Sequence, residues 1–569
     1  MPQYPLLIFP RPTRIERARR FGGVGKIRVP EPSQQAERLV PQFQRLQEVL
    51  SRQGLILQDN TLGIQPELVL VLETVGSVRN FMNAIRKVRG LEWLAEFEVD
   101  DVVPEYGFED ESDREKHLTG QLFLVMTDYT ALQQLLSLFE LWKKDPSADF
   151  PHGLAPLKHA FHQLLTIRPW DAEDRLRDTG VLEDWRDRVR HGQEIVPFEL
   201  ELWYREDRDR RRNAEAYLKT VIESLDGKIV QNSTIPEISY HGILATIPVT
   251  GVTKVLSGAT ALAEFRLLQC QDIMYVRPVG QCAIRVLEDS SDLQAYSKES
   301  GVDRPSGDPV IALLDGLPLT KHRLLDGRLI VDDPDGYESD YQAHERVHGT
   351  AMASLVSHGD LAETSGSARG PVYVRPIMKP KRGFDGAFEE AMEESVLPVD
   401  LIYRAVKRLY DGEAGEPPVA PTIRVINLSV CDRARPFDRA MSSWARLLDW
   451  LSWKYGVLFV VSAGNHHYRD IELEVPRGSF RSLPETQRDR VVIRALAEDT
   501  RHRRLLSPAE TINGLTVGAI HSDASSSPVN PSLLDPLSAT TLPSPINAHG
   551  PGYRRAIKPD ILLPGGKQL

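Results

Sequence analysis

The 569-residue sequence predicts a multidomain chain: an α/β domain with a parallel sheet covered by helices over 310–569, preceded by smaller α+β regions. Three observations predict it. From Val310 onward, near-continuous apolar runs such as Val457-Leu-Phe-Val-Val alternate with helical periods, the mark of parallel strands buried on both faces. From Phe198 the periods run in β-α-β-β-α-β order, the ferredoxin-like arrangement. Between them, 286–309 is a polar stretch with Asp-Ser-Ser-Asp, Ser-Lys-Glu-Ser-Gly and Pro-Ser-Gly-Asp-Pro, the composition of a linker.

Taken in order, residues 67–143 read as strand Glu67–Glu73, helix Val78–Val88, strand Glu92–Val99, a charged loop near Glu109–Lys116, strand Gly120–Met126 and helix Thr130–Leu141. Residues 150–195 read as helical, and their histidines (His152, His159, His162, His191) lack ligand spacing, which makes them surface or helix-packing residues. The second region runs strand Phe198–Tyr204, helix Arg212–Leu225, strand Lys228–Gln231, strand Gly242–Pro248, helix Val252–Ser257 and an apolar stretch at Ile273–Val276. The last region runs strand Val310–Leu314, helix His348–Val356, strand Val372–Ile377, helix Pro398–Tyr410, strand Ile423–Ser429, helix Asp438–Lys454 and strand Val457–Val461. The expected domains are therefore 1–195, 196–285, a linker at 286–309, and 310–569.

Composition narrows the function classes. Hydrophobic residues at 41% and charged residues at 26% are ordinary for a soluble globular protein. Lys plus Arg is 69 against 80 Asp plus Glu, a net charge of -11 with no long single-sign tail, which argues against nucleic acid as a partner. Three cysteines (Cys270, Cys282, Cys431) without CxxC spacing suggest a reducing compartment. The first ten residues break their apolar run with prolines and lead into the basic Arg14–Arg20 stretch, which is neither a signal peptide nor an anchor. No apolar run of about eighteen residues exists, so no membrane partner is expected and the cytoplasm is the expected location.

Chemistry concentrates at three places. Asp315 follows a buried strand, where a carboxylate can hold an imidazole in one tautomer and stabilise its charged form. His348 opens a helix of small residues, Gly349-Thr-Ala-Met-Ala-Ser354, and is placed to take a proton from a hydroxyl while donating to Asp315. Asn465 ends Val457-Leu-Phe-Val-Val-Ser-Ala-Gly-Asn, a strand running into a tight turn that presents an amide donor. Asp315 and Asn465 both lie beyond the carboxyl ends of strands, where parallel sheets bind their ligands. The acidic run Asp332-Asp-Pro-Asp-Gly336 lacks the spacing of a calcium loop and reads as a solvated turn.

On these residues the chain resembles the subtilisin-like serine peptidases, the subtilases. Val310-Ile-Ala-Leu-Leu-Asp315-Gly-Leu is similar to their acid motif, with His322 and Leu324 in a contracted form of the signature that follows it. His348-Gly349-Thr350 is similar to the base motif, Val425-Ile-Asn-Leu-Ser429 to the substrate-flanking strand, and Val460-Val-Ser-Ala-Gly-Asn465 to the oxyanion strand. Ser507–Ala519 and Lys558-Pro-Asp-Ile-Leu-Leu-Pro-Gly565 resemble the two segments that precede the nucleophile. The resemblance implies a subtilisin-like parallel sheet and peptide-bond hydrolysis by an Asp-His-Ser triad, with Asp315 as orienting acid, His348 as base, Asn465 as oxyanion donor and a protein or peptide as substrate. No cofactor and no metal site is expected from the residues, and calcium binding is left open. From position and shape, 196–285 is expected to be propeptide-like.

The sequence departs from the family twice. Gly316 directly follows Asp315, where the family usually has Ser or Thr before its glycine. The nucleophile motif Gly-Thr-Ser-x-Ala is missing, because only Gly-Gly-Lys-Gln-Leu follows Pro564, and Ser538 and Ser544 precede Lys558. The expectation is a catalytic domain incomplete at its carboxyl end, inactive alone, and completed by a missing segment or governed by a regulatory protein. The alternative is an inactive binding or regulatory module of the same fold.

Overall fold

The computed structural model describes residues 27–57, 66–285, 304–361, 367–383, 386–413, 415–467, 469–523, 534–537 and 541–567. Most of the expected linker at 286–309, and Ser538, lie outside them. The chain forms two compact units, Met1–Pro169 and Trp170–Leu569.

In the first unit, helix α1 (Pro32–Leu57) precedes strand β1 (Glu67–Val75), helix α2 (Phe81–Ile85), strands β2 (Leu91–Val102) and β3 (Leu118–Asp128), helices α3 (Tyr129–Lys144) and α4 (Ala155–Gln163), and strand β4 (Leu164–Pro169). Ala36, Leu39, Phe43, Leu46 and Leu50 form one apolar stripe of α1, spaced three and four residues apart. That stripe shares a core with Leu68, Leu70 and Leu72 of β1, alternate residues on one face of the strand. The antiparallel sheet has the order β2-β3-β1-β4. β4 corrects the all-helical expectation for 150–195. His162 packs edge-on against Trp142 and accepts its indole N–H at 3.0 Å.

The second unit begins with helices α5 (Ala172–Leu176) and α6 (Val181–Arg190), whose Leu176, Val181 and Trp185 share a core with the sheet that follows. That sheet comprises β5 (Ile195–Leu202), β6 (Lys228–Ile235), β7 (Tyr240–Pro248) and β8 (Ile273–Pro278), with helix α7 (Arg208–Glu223) before β6 and α8 (Val249–Val255) after β7. Asp207 starts α7 by accepting from the amides of Asp209 and Arg210. The strand order β8-β5-β7-β6 is fourth-first-third-second, the same order as in the first unit. Strand β9 (Ala283–Arg285) follows.

The remaining chain builds a seven-stranded parallel sheet from β10 (Ile311–Asp315), β11 (Leu329–Val331), β12 (Val372–Pro376), β15 (Val425–Leu428), β16 (Leu458–Ser462), β17 (Leu515–Ile520) and β18 (Ile561–Pro564). Its order is β11-β12-β10-β15-β16-β17-β18. Helix α9 (His348–His358) packs beside β10, and a hairpin of β13 (Lys379–Arg382) and β14 (Phe388–Ala391) pairs with β9 at its outer edge. Helix α10 (Pro398–Tyr410) starts on a proline, carries Asp400 in its first turn and Lys407 and Arg408 in its last, each placed to complement the helix dipole. Helix α11 (Ser443–Tyr455) is capped by Ser442 and stopped by left-handed Gly456.

α10 and α11 also meet the four-stranded sheet before them. Ile235, Ile238 and Tyr240 share the core of the two helices, Gln231 and Ser233 donate to Asp400 at 2.8 and 2.7 Å, and Arg446 donates to the Ile238 carbonyl. The buried Arg435 guanidinium pairs with the buried carboxylate of Glu199 on β5. Among the described residues no helix is long and apolar enough to cross a membrane, and no three His, Cys, Asp or Glu side chains come together as a metal-binding group.

Candidate active site

β10 lies between β12 and β15, so Asp315 at its carboxyl end is fully buried. Its Oδ1 accepts two hydrogen bonds, from the Gly316 amide at 2.7 Å and from His348 Nδ1 at 2.7 Å. Its Oδ2 is buried without a partner among the described residues. With Asp315 as the acceptor, His348 carries its proton on Nδ1, and the lone pair of the neutral ring sits on Nε2. Burial pulls the His348 imidazole toward its neutral form, but the charge and hydrogen bond of Asp315 and the charge of Glu390 outweigh it, and its pKa lies above the ordinary 6.5.

The His-Gly-Thr motif has a structural meaning at each position. His348 is the first residue of α9, with its side chain part-exposed. A Cβ at Gly349 would run into the Gly316 carbonyl, so only glycine lets the helix start press against the turn after β10. The Thr350 hydroxyl donates to the Arg346 carbonyl and accepts from the Leu319 amide, tying the same turn to the same helix.

Two residues that the sequence reading did not single out complete this cluster. Glu390 of β14, fully buried, accepts the His348 backbone N–H at 2.5 Å through Oε2 and lies 2.9 Å from the Tyr341 hydroxyl through Oε1. Burial pushes the Glu390 carboxyl up to about 7, with the Asp315 charge adding to the shift and the His348 amide and Tyr341 opposing it. The signal was the Asp-Gly pair: a Cβ at Gly316 would collide with a Glu390 carboxylate oxygen and stand 3.0 Å from the Tyr341 hydroxyl. The space that a Ser or Thr side chain would take is filled from β14.

Asn465 lies three residues beyond β16, exposed, and its backbone pairs with Asn547 in an isolated bridge. Its amide N–H reaches the Cys431 sulfur. Burial and the Asp432 charge push the Cys431 thiol up to about 12, so at neutral pH it is a protonated thiol and no nucleophile. Ser544 is buried in the turn before Asn547, and its amide donates to Ala519. The acidic run at 332–336 forms a turn with Pro334, Asp335 and Gly336 exposed, as expected, and its carboxylates are partnered. Asp332 is held by Arg408 and Tyr373, Asp335 pairs with Arg375 and Arg404, and Asp333 accepts the amides of Tyr337 and Glu338.

Fold and site together define an α/β domain with a buried acid–histidine pair at the carboxyl edge of a parallel sheet. Residues 306–569 match the model of the subtilase family (peptidase S8). The chain is also similar to the uncharacterized protein y4bN of Sinorhizobium fredii (strain NBRC 101917 / NGR234), 31% identical over 146 residues. That match spans 25% of this chain and 31% of the relative's length. Among solved structures, a chain of the subtilase cytotoxin SubAB assembly aligns with 17% identity and a TM-score of 0.25, over 48% of this chain and 71% of that one. MycP1 from Mycobacterium smegmatis aligns with 18% identity and a TM-score of 0.21, over 42% of this chain and 60% of that one.

Proposed function

We propose that residues 306–569 supply the acid, base and oxyanion donor of a serine endopeptidase whose nucleophilic serine comes from outside residues 1–569. The observation that carries this reading is the Asp315–His348 hydrogen bond, made on a buried strand end and a helix start inside a subtilase-family domain. In the reaction His348 Nε2 takes the serine proton as Oγ attacks the peptide carbonyl, and returns it to the leaving amine. Asp315 holds the ring and offsets its positive charge, and Asn465 donates to the oxyanion. A protein or peptide is the substrate, and the cytoplasm is the proposed location, a reading the three free cysteines support.

We assign 196–285 the part of a propeptide-like module that stays on the catalytic domain. What supports this is its position before that domain and its sheet's contact with α10 and α11 through Gln231, Ser233 and Tyr240. The test of the whole reading is hydrolysis of an unfolded protein substrate by the full gene product. Turnover that vanishes in His348→Ala supports it, and no turnover with any substrate or partner leaves a binding module.

A further inference from the structure

The Asp315–His348 pair does not account for the second buried acid beside it. Glu390 belongs to neither strand nor helix of that pair. It stands on β14, in register between Ile284 of β9 and Pro380 of β13. The titratable groups facing it are Asp315 from β10, His348 from α9 and Tyr341 from the preceding loop, and the two flanking strand partners do not titrate. α9 has no side-chain cap of its own, since Val347 precedes His348 and offers no acceptor. Glu390 supplies one from a distant element, at the positive end of the helix dipole.

The Tyr341 hydroxyl adds a constraint that follows from proton counting. It lies 2.9 Å from Glu390 Oε1 and 3.1 Å from the Met378 carbonyl, and it has one proton to give. With Glu390 ionised, both oxygens are acceptors and one is left short. With Glu390 protonated, Oε1 donates to Tyr341, Tyr341 donates to Met378, and Oε2 still accepts the His348 amide. Both states keep the helix anchored, and they differ by one negative charge beside the base.

We propose that Glu390 is a positioning residue for His348: its carboxyl anchors the first amide of the histidine helix, occupies the space left by Gly316, and couples its own protonation to the charge of the Asp315–His348 pair. This rests on the reading of His348 as the base, but it is testable without turnover. In the 569-residue chain labelled with 13C at histidine Cε1, and with the His348 signal assigned by its loss in His348→Gln, the His348 titration is expected to show two inflections. Glu390→Gln keeps an acceptor for the amide and removes the charge, so it should leave one inflection with its midpoint shifted down. Tyr341→Phe, which removes one stabiliser of the ionised Glu390, should keep both inflections and move the Glu390 one up. Should Glu390→Gln fail to fold, Tyr341→Phe decides alone. A His348 curve that is unchanged in the folded variants overturns the proposal and reduces Glu390 to a structural cap. Peptidase activity that is absent while the coupling persists would instead count against the proposed function.

Discussion

Asp315 Oδ1 and His348 Nδ1 stand 2.7 Å apart across 33 residues of chain, one on a buried strand end and the other on the first residue of a helix. The separation is set by backbone contact, because the missing side chain of Gly349 lets the helix start touch the Gly316 backbone. The pair therefore belongs to the fold and does not depend on a bound substrate.

In the active gene product, Asp315→Asn is expected to leave the fold intact and lower turnover about 10⁴-fold, because an amide at this position favours the wrong imidazole tautomer. The pH dependence of kcat/KM should rise along a limb centred above 6.5, since His348 must lose its proton to act and its acidic neighbours delay that loss. A limb centred below 6.5 would show that burial, rather than Asp315, dominates the imidazole.

Asn465→Ala should lower kcat by about 10²–10³-fold with KM little changed, because an oxyanion donor acts in the transition state. Its exposed side chain and strand-end position make the substitution harmless to folding, which thermal unfolding would verify. A loss confined to KM would place Asn465 among substrate-binding residues instead.

Glu390 makes stability depend on pH. Its folded pKa of about 7 lies above the ordinary 4.5, so between these values the folded state holds a proton that the unfolded state has lost, and stability falls as pH rises through the window. The full effect is on the order of 3 kcal/mol. The His348 pKa, also raised, acts in the same direction: its contribution is present below 6.5 and lost as pH rises through the folded value. Melting temperatures between pH 4.5 and 8 should therefore decline less steeply in Glu390→Gln than in the parent chain.

Arg435→Ala should destabilise the second unit by about 3–5 kcal/mol, because it leaves the buried Glu199 carboxylate without its cation. Adding Glu199→Gln should recover part of the loss. A double variant no better than Arg435→Ala in thermal unfolding would mean that the two charges are not coupled.

The parts of this site that the sequence revealed are those fixed by local constraint. Asp315 ends a buried apolar strand and His348-Gly-Thr opens a helix, and the Gly316 backbone at Gly349 and the Glu390 carboxylate at Gly316 leave no room for a side chain. α10 was legible to the residue because its initial proline, apolar stripe and terminal Lys407 and Arg408 agree. β4 was hidden because α4 passes from Gln163 straight into extended Leu164 without a turn residue. The hairpin of β13 and β14 was hidden because Lys-Pro-Lys-Arg and Phe-Glu-Glu-Ala show no apolar alternation, and Glu390 went unseen with it. The helix at Glu485–Glu498 buries only Asp489 and Val492, which leaves almost no period to read.

The most direct test of the account is labelling of the full gene product with a fluorophosphonate probe, with the modified serine located by mass spectrometry. One serine outside residues 1–569 is expected to be labelled, with labelling lost in His348→Ala. Labelling of a serine within these residues, or labelling that survives the loss of His348, would contradict it.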